Sequence, residues 1–281
     1  MKEVVTMWGH TRMIALVVLS AALYAAILIP FKGFQILPGV DLRPSTVIPP
    51  VVAILFGPAG AWGCAIGNLV GDFFGTIGVG SIFGFIGNFL FAFAAYKLWY
   101  QLPFISSDNE PVINSGAKFV KWVVVCIGGA AALTSSLSWG VSGVLSLLPY
   151  PVFSTIVFPN NLVAALILGA PLLALVYRRL KRAGLIFTDI MAPDEVKLAG
   201  RSVVPGQIMV WVGLIGSIAL SYVLGLAFDM SIGLMLAVIT LPLVVLWIAG
   251  LAILGVPREQ FEEVTHESGE QVATAPGSVA E

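Results

Sequence analysis

Eight apolar runs divide the chain, and their lengths constrain the fold more than any other feature of the sequence. A helix of about 20 apolar residues crosses the roughly 30 Å hydrocarbon core of a bilayer. The runs cover residues 13–30, 45–56, 59–74, 81–100, 119–148, 153–177, 208–228 and 232–254. Only 10% of the residues are charged, against about 25% in soluble domains. The sequence therefore predicts an all-α integral membrane protein with eight transmembrane helices.

The distribution of Lys and Arg predicts the orientation of these helices. Cytoplasmic loops of membrane proteins are enriched in both residues. If the N-terminus is cytoplasmic, only Lys32 and Arg43 fall outside the cell. Twelve others fall inside: Lys2, Arg12, Lys97, Lys118, Lys121, Arg178, Arg179, Lys181, Arg182, Lys197, Arg201 and Arg258. This asymmetry favours an N-in, C-in topology.

Composition divides the chain into four parts. Residues 1–182 form a six-helix membrane domain, and residues 183–206 form a polar cytoplasmic linker that begins after the sequence RRLKR. Residues 207–256 form a transmembrane hairpin that turns at Asp229 and Met230. We expect the acidic tail, residues 257–281, to be disordered because it is polar and contains Gly and Pro. Polar groups concentrate in the first six helices, so we expect the functional site there.

The stretch LRPSTVIPPVVAILFGPAGAWGCAIGNLVGDFFG, residues 42–75, combines apolar character with helix breakers and polar groups. Its glycines recur at every fourth position from Gly63, which favours close helix packing or close approach of a ligand. Asn68 and Asp72 are four residues apart and therefore share one helix face. Asn88 follows on the next helix, which starts from the same outer side. A carboxylate within a membrane indicates a functional site, although Asp72 could instead cap a hydrated helix end.

Further polar and aromatic side chains are predicted near the outer surface. Arg43 flanks the loop FKGFQILPGVDLRPST, where it could pair with Asp41 or Asp72, contact headgroups, or face a substrate. A later outer loop offers Asn160, and the fifth run offers Trp139. Aromatic residues near an interface commonly anchor in headgroups. On the first run, Ala21 and Ala25 form a flat face suited to another helix, within this chain or in a partner.

Several kinds of chemistry are not predicted. The sequence contains no GxxxxGK[ST], HExxH or GxSxG motif, so no nucleotide, metal or nucleophile site is indicated. His10 and His266 lie near the termini, and Cys64 and Cys126 lie within apolar runs. We therefore predict no cofactor, no metal and no enzymatic activity. The net charge of −1 gives no indication of nucleic-acid binding.

Three segments resemble the substrate-binding (S) components of energy-coupling factor transporters. They are ALYAAILIPFKGF, the stretch 42–75 and GSIFGFIGNFLFAFAAYKLW. Ala21 and Ala25 match the alanine-rich first helix of that family, and residues 56–61 match its FGP-x-GA turn. Asn68 and Asp72 match its N-x-x-x-D pattern. The Arg-Pro start of the second helix is most similar to the queuosine-precursor and related vitamin-type branches. The resemblance covers residues 12–180, and the C-terminal hairpin departs from it.

The resemblance implies an outward-facing pocket for a vitamin or related micronutrient in a prokaryotic cell membrane. We expect the substrate-binding residues to be Asn68, Asp72, Asn88, Arg43, Trp139 and Asn160. Ala21 and Ala25 would dock a transmembrane coupling protein, which acts with two ATP-binding-cassette ATPases. The alternatives are a self-sufficient secondary transporter with Asp72 as the ion or proton site, a non-transport membrane scaffold, and a membrane enzyme.

Overall fold

The computed structural model describes residues 1–37, 40–200, 203–228 and 233–261, and its helices follow the eight apolar runs. The α-helices in this part of the chain are α1 Glu3–Thr6, α2 Thr11–Leu28, α3 Ile48–Phe56, α4 Pro58–Asp72, α5 Gly80–Tyr100, α6 Gly116–Ser138, α7 Tyr150–Arg182, α8 Phe187–Ile190, α9 Val203–Phe228 and α10 Gly233–Ile253. A short antiparallel hairpin joins β1 Gln35–Leu37 to β2 Val40–Asp41. The predicted turn at Asp229 and Met230, and the tail beyond residue 261, lie outside the described residues.

Six helices in the described ranges are long and apolar enough to cross a membrane: α2, α5, α6, α7, α9 and α10. The second and third runs form shorter helices because Pro and Gly interrupt them. A 3₁₀ turn at Pro44–Val47 leads into α3, and α3 ends at Gly57, whose φ of +55° favours glycine. Pro58 then starts α4, where its missing N–H costs nothing. Every residue of α3 is buried, so this short helix lies inside the bundle.

The glycine stripe of α4 packs directly on α2. A Cβ added at Gly63 would lie 2.8 Å from the carbonyl oxygen of Val17. One added at Gly67 would lie 2.7 Å from the carbonyl oxygen of Ala21. These distances leave no room for a side chain, so glycine allows the two backbones to approach. The glycine stripe of α4 therefore packs against α2, a helix of the same chain.

This packing corrects the predicted docking face on the first helix. Ala21 and Ala25 are only 9% and 6% exposed, because they lie on the side of α2 that meets the rest of the bundle. Ala22 and Ala26, one residue further along, are exposed. One residue corresponds to a rotation of about 100° around a helix. Within the isolated chain, the overlapping pair Ala22 and Ala26 is therefore the one that is open to another protein.

The segment between α7 and α9 is docked on the bundle and is not a loose linker. The Phe187 side chain is fully buried, with its ring 5.3 Å from that of Tyr96 and 5.6 Å from that of Tyr100. A Cβ at Gly57 would lie 3.0 Å from the Phe187 ring. Leu198 also forms a parallel bridge with Val256. Aromatic burial thus fixes this connector at one end of the bundle.

The N-terminal segment meets the connector at the same end. The carboxylate of Glu3 and the ammonium group of Lys97 form a fully buried ion pair. Burial alone would raise the pKa of Glu3, but the adjacent charge and hydrogen bond of Lys97 hold it below its ordinary value. His10 Nε2 lies 2.8 Å from Glu195 Oε1 in the connector. The N-terminus and the connector therefore lie on one side, as the predicted topology requires.

Candidate functional site

A cavity of about 580 Å³ opens at the opposite end of the bundle. Three segments surround it: the loop that carries Arg43, the turn between α4 and α5, and the chain from the end of α6 into α7. Its polar lining includes Arg43, Asp72, Thr76, Ser81, Asn160 and Asn161. Its apolar lining includes Leu137, Val141, Leu147, Leu148, Phe153 and Val157. The cavity lining thus combines polar and apolar side chains.

Asp72 forms an ion pair with Lys32 at the edge of this cavity. The distance from Lys32 Nζ to Asp72 Oδ1 is 2.9 Å, and the two side chains are 4% and 5% exposed. The hydroxyl of Thr76 donates to the same oxygen at 3.1 Å, and Asn68 Nδ2 donates to Oδ2 at 3.2 Å. Buried carboxylates require this kind of compensation. Asp72 is therefore paired with Lys32, and Arg43 is not its ion-pair partner.

Arg43 is held beside the cavity by hydrogen bonds to two uncharged side chains. Its Nη1 donates to Asn68 Oδ1 at 3.0 Å, and its backbone N–H donates to Asn160 Oδ1 at 3.2 Å. Among the side chains that the structure describes, no carboxylate lies within ion-pairing distance of Arg43. The side chain of Asp41 lies outside that set. The guanidinium therefore brings to the cavity a positive charge and donors beyond the one that Asn68 accepts.

Asn68 and Asn88 lie behind the cavity wall. Both are fully buried. Asn68 connects Arg43 to Asp72, and it fits because Gly84 leaves space: a Cβ there would lie 3.0 Å from Asn68 Nδ2. Asn88 accepts from the Tyr24 hydroxyl at 2.7 Å and donates to the carbonyl of Gly84 at 2.8 Å. Both asparagines support the wall, and neither lines the cavity.

Trp139 is directed away from the cavity. Its Nε1 donates to the carbonyl oxygen of Ala237 on α10 at 2.9 Å, and its ring packs edge-on against Phe83. The expectation that Trp139 contacts substrate is therefore not supported by its position. Asn160, by contrast, lines the cavity, but it does so from within α7 and not from a loop as predicted, because the helix already begins at Tyr150.

Asn161 is the site residue that the sequence prediction left out of the binding set. Its side chain is 1% exposed and its Nδ2 donates to the carbonyl of Val157 at 2.8 Å. Its Oδ1 has no hydrogen-bond partner within the described residues. A buried acceptor without a partner costs about 1–3 kcal/mol, and this residue is part of the cavity lining. The signal in the sequence is a second amide inside an apolar helix, directly after Pro159 and Asn160.

A second cavity of about 670 Å³ lies on the outer flank of α7. It shares Arg43 and Asn160 with the first cavity, but the rest of its lining is almost wholly apolar and includes Ile36, Leu42, Val163, Ala164, Ile167 and Leu168. It offers few groups that could fix the orientation of a polar ligand. The first cavity is therefore the better candidate for selective binding.

The described residues contain no group of three or more His, Cys, Asp or Glu side chains that could hold a metal ion. The free thiols of Cys64 and Cys126 are buried among packed helices. The polar groups around the first cavity form hydrogen bonds with one another.

The chain matches the family model described as QueT transporter over residues 14–178. No curated protein and no solved structure matches the chain significantly. The matched segment contains α3 to α6, nearly all of α2 and α7, and every residue of the first cavity. The chain therefore belongs to the QueT transporter family, a family of S components of energy-coupling factor transporters in the cell membrane.

Proposed function

We propose that this protein is the substrate-capture subunit of an ATP-driven importer and binds a vitamin-like micronutrient in the first cavity. The family match supports a transporter. The observation that carries the proposal is that the lining of one cavity contains both the Arg43 guanidinium, which has donors to spare, and Asn161, whose Oδ1 has no partner within the described residues. ATP hydrolysis would come from two ATP-binding-cassette subunits through a transmembrane coupling protein.

The lining of the cavity supports a proposal for the class of ligand. The apolar wall of Val141, Leu148 and Phe153 favours a flat or weakly polar face. The polar lining residues favour a hydrogen-bond acceptor against Arg43 and a donor against Asn161. A polar aromatic heterocycle has both kinds of group in one plane, and a queuosine precursor is such a molecule. We therefore propose a ligand of the queuosine-precursor or related vitamin type.

The contacts of Asp72 disfavour the rival proposal of a self-sufficient secondary transporter. An ion or proton site on Asp72 would need a carboxylate that is open to the transported ion. Both oxygens of Asp72 already accept hydrogen bonds, and Lys32 supplies the compensating charge at 2.9 Å. In our proposal the carboxylate holds Lys32 and Asn68 in place, and Asn68 holds Arg43. Asp72 then shapes the binding wall without carrying a coupled ion.

We further propose that the chain has eight transmembrane helices with both termini in the cytoplasm. The six long helices cross the membrane, and α3 and α4 together add two shorter crossings. Residues 1–182 would form the substrate-binding domain, 183–206 a cytoplasmic connector, 207–256 a transmembrane hairpin and 257–281 an acidic tail. The gathering of Glu3, Lys97 and Glu195 at one end supports a shared cytoplasmic side for the N-terminus and connector.

Cysteine labelling in intact cells tests this topology. Cys64 and Cys126 are buried, so they should give little background. A cysteine that replaces Met230 should react with a membrane-impermeant maleimide added outside, because the topology places the hairpin turn there. A cysteine that replaces Ala199 should react only after the cells are permeabilised. The opposite labelling pattern would contradict the topology.

The exposed face of α2 is our proposed docking surface for the coupling protein. Small residues allow the close approach of helices within a membrane, and Ala22 and Ala26 present such a surface outward. Ala22→Trp and Ala26→Trp should prevent co-purification with the co-expressed coupling protein and leave the isolated subunit folded. Ala25→Trp should instead lower the melting temperature of the isolated subunit, because its side chain would enter the buried bundle. Normal co-purification of both outer variants would contradict the proposed surface.

Equilibrium binding to the purified protein tests the ligand site. We expect Arg43→Gln and Asn161→Leu each to weaken binding by about 5- to 150-fold, since each removes a hydrogen bond inside a buried site worth about 1–3 kcal/mol. Asn68→Ala should also weaken binding, because it releases the Arg43 guanidinium. The measurement uses a panel of radiolabelled queuosine precursors and water-soluble vitamins.

The matched control for Arg43→Gln is Arg178→Gln, which makes the same change at the cytoplasmic end of α7. It should bind the same ligand as the unmodified protein with equal affinity. Unchanged binding in both Arg43→Gln and Asn161→Leu would place the ligand outside the first cavity.

A further inference from the structure

The C-terminal hairpin, α9 with α10, lies beyond the segment that the QueT transporter family shares, which ends at residue 178. We propose that this hairpin is a positioning element that holds one wall of the ligand cavity, residues 139–149, in a fixed place. The role in ligand binding rests on the function proposed above. The mechanical role does not, and it can be tested without any ligand.

The wall 139–149 has a local geometry that needs external support. Residues Trp139–Val144 form a π-helix, in which the N–H of Leu145 bonds the carbonyl of Gly140 at 2.9 Å. Isolated π-helical turns are rare and occur often at functional sites. Ser146 follows with a φ of +52°, which is unfavourable for a residue with a Cβ. Such backbone conformations persist where the surrounding structure holds them.

This wall supplies much of the apolar lining of the cavity. Val141, Leu147 and Leu148 all line it. The N–H of Leu147 bonds the carbonyl of Val141 at 3.0 Å, which links the π-helix to the loop that follows. A shift of this segment would therefore move three lining residues together.

The first turns of α10 contact the wall at three successive points. Trp139 Nε1 donates to the carbonyl oxygen of Ala237 at 2.9 Å. A Cβ at Gly143 would lie 3.0 Å from the Cβ of Ala237, so the two helices touch there. Gly233 lies against Ser146 with no room for a side chain, and a Cβ there would also lie 3.1 Å from the carbonyl oxygen of Gly143. The hairpin therefore contacts both unusual elements of the wall, the π-helix and Ser146.

The other helix of the hairpin anchors the two ends of the same segment. Ser217 on α9 hydrogen-bonds Ser135 on α6 at 2.9 Å. Gly225 packs on Pro151 at the start of α7, where a Cβ would lie 2.7 Å from the proline ring. The hairpin thus contacts the chain before, within and after the wall.

The turn 75–80, another part of the cavity lining, is packed less closely than this wall. The turn 75–80 contains Gly75, Gly78 and Gly80, and a Cβ at Gly75 or Gly78 would meet no atom within 4 Å. Ile77 and Val79 in this turn are 53% and 62% exposed. Regions with few packed contacts open at low free-energy cost. The cavity lining thus contains one segment that contacts the hairpin and one exposed, loosely packed turn, which is hydrogen-bonded to Asp72 through Thr76.

Hydrogen exchange of the purified protein, without ligand, tests the mechanical role. Trp139→Phe keeps an aromatic ring and removes the N–H that bonds Ala237. We expect amide exchange in residues 140–149 to rise about 2- to 10-fold, the effect of one lost hydrogen bond, while exchange in α2 and α4 stays unchanged. The matched control is Trp211→Phe, which removes the same N–H from a bond to Gln207 Oε1 within α9. The control should leave exchange in 140–149 unaltered.

A second variant covers the case in which Trp139→Phe is too mild. Ala237→Leu adds bulk where Gly143 meets α10, so it should separate the hairpin from the wall and raise exchange in the same residues. Unchanged exchange in 140–149 for both variants would overturn the proposal. A uniform rise across all helices would also overturn it, because that result would indicate a general packing role.

The consequence for ligand binding is measured on the same proteins with a radiolabelled queuosine precursor. We expect Trp139→Phe and Ala237→Leu to speed ligand dissociation about 2- to 10-fold, and Trp211→Phe to leave it unchanged. Faster exchange with unchanged dissociation would overturn the link between the hairpin and the site. If the unmodified protein binds no precursor, the proposed ligand is wrong, and the exchange result still decides the mechanical role.

Discussion

The close contact between α2 and α4 sets the positions of Asn68 and Asp72 beside the cavity. Gly63 and Gly67 give α4 one face without side chains, which rests on the backbone of α2. Asn68 and Asp72 are each one residue beyond a glycine of this stripe, so they are turned by about 100° from the contact. That rotation directs them toward the loop that carries Arg43. A side chain at either glycine would separate the helices and displace both polar residues.

The polar groups then form one connected chain from Lys32 to Arg43. Lys32 compensates the charge of Asp72, Asp72 accepts from Asn68, and Asn68 accepts from Arg43. The Arg43 guanidinium donates to Asn68 and has further N–H donors that can face the cavity. In our proposal these donors bind acceptor groups of the ligand. The buried carboxylate of Asp72 thus orients Arg43 through Asn68, and Arg43 is the residue that we propose binds the ligand.

Much of the architecture was predictable because it follows from local rules. The apolar runs predicted the helices, and Gly57 with Pro58 predicted the break between the two short ones. The four-residue spacing predicted that Asn68 and Asp72 share a face, and the two are indeed hydrogen-bonded. The resemblance to S components predicted the family. All these features depend on residues that are close in the sequence.

The remaining features depend on contacts that spacing cannot specify. Nothing in the sequence selects Lys32 over Arg43 as the partner of Asp72, since both flank the same loop. The choice between Ala21 and Ala22 as the buried residue depends on which face of α2 meets α4. Trp139 was placed in the site because it follows a polar run, but α10, which lies about 100 residues further along the chain, provides its partner. The docking of the connector through Phe187 likewise depends on aromatic residues from a distant helix.

We propose that the first cavity, which Arg43 and Asn161 line, holds the ligand. The most direct test is an experimental structure of the purified protein with the small molecule that it retains, whose identity mass spectrometry of the same sample establishes. The account predicts ligand density against the apolar wall of Val141 and Phe153, with an acceptor within hydrogen-bonding distance of Arg43 and a donor within that distance of Asn161 Oδ1. Ligand density confined to the apolar cavity on the flank of α7, with the first cavity holding only water, would contradict it.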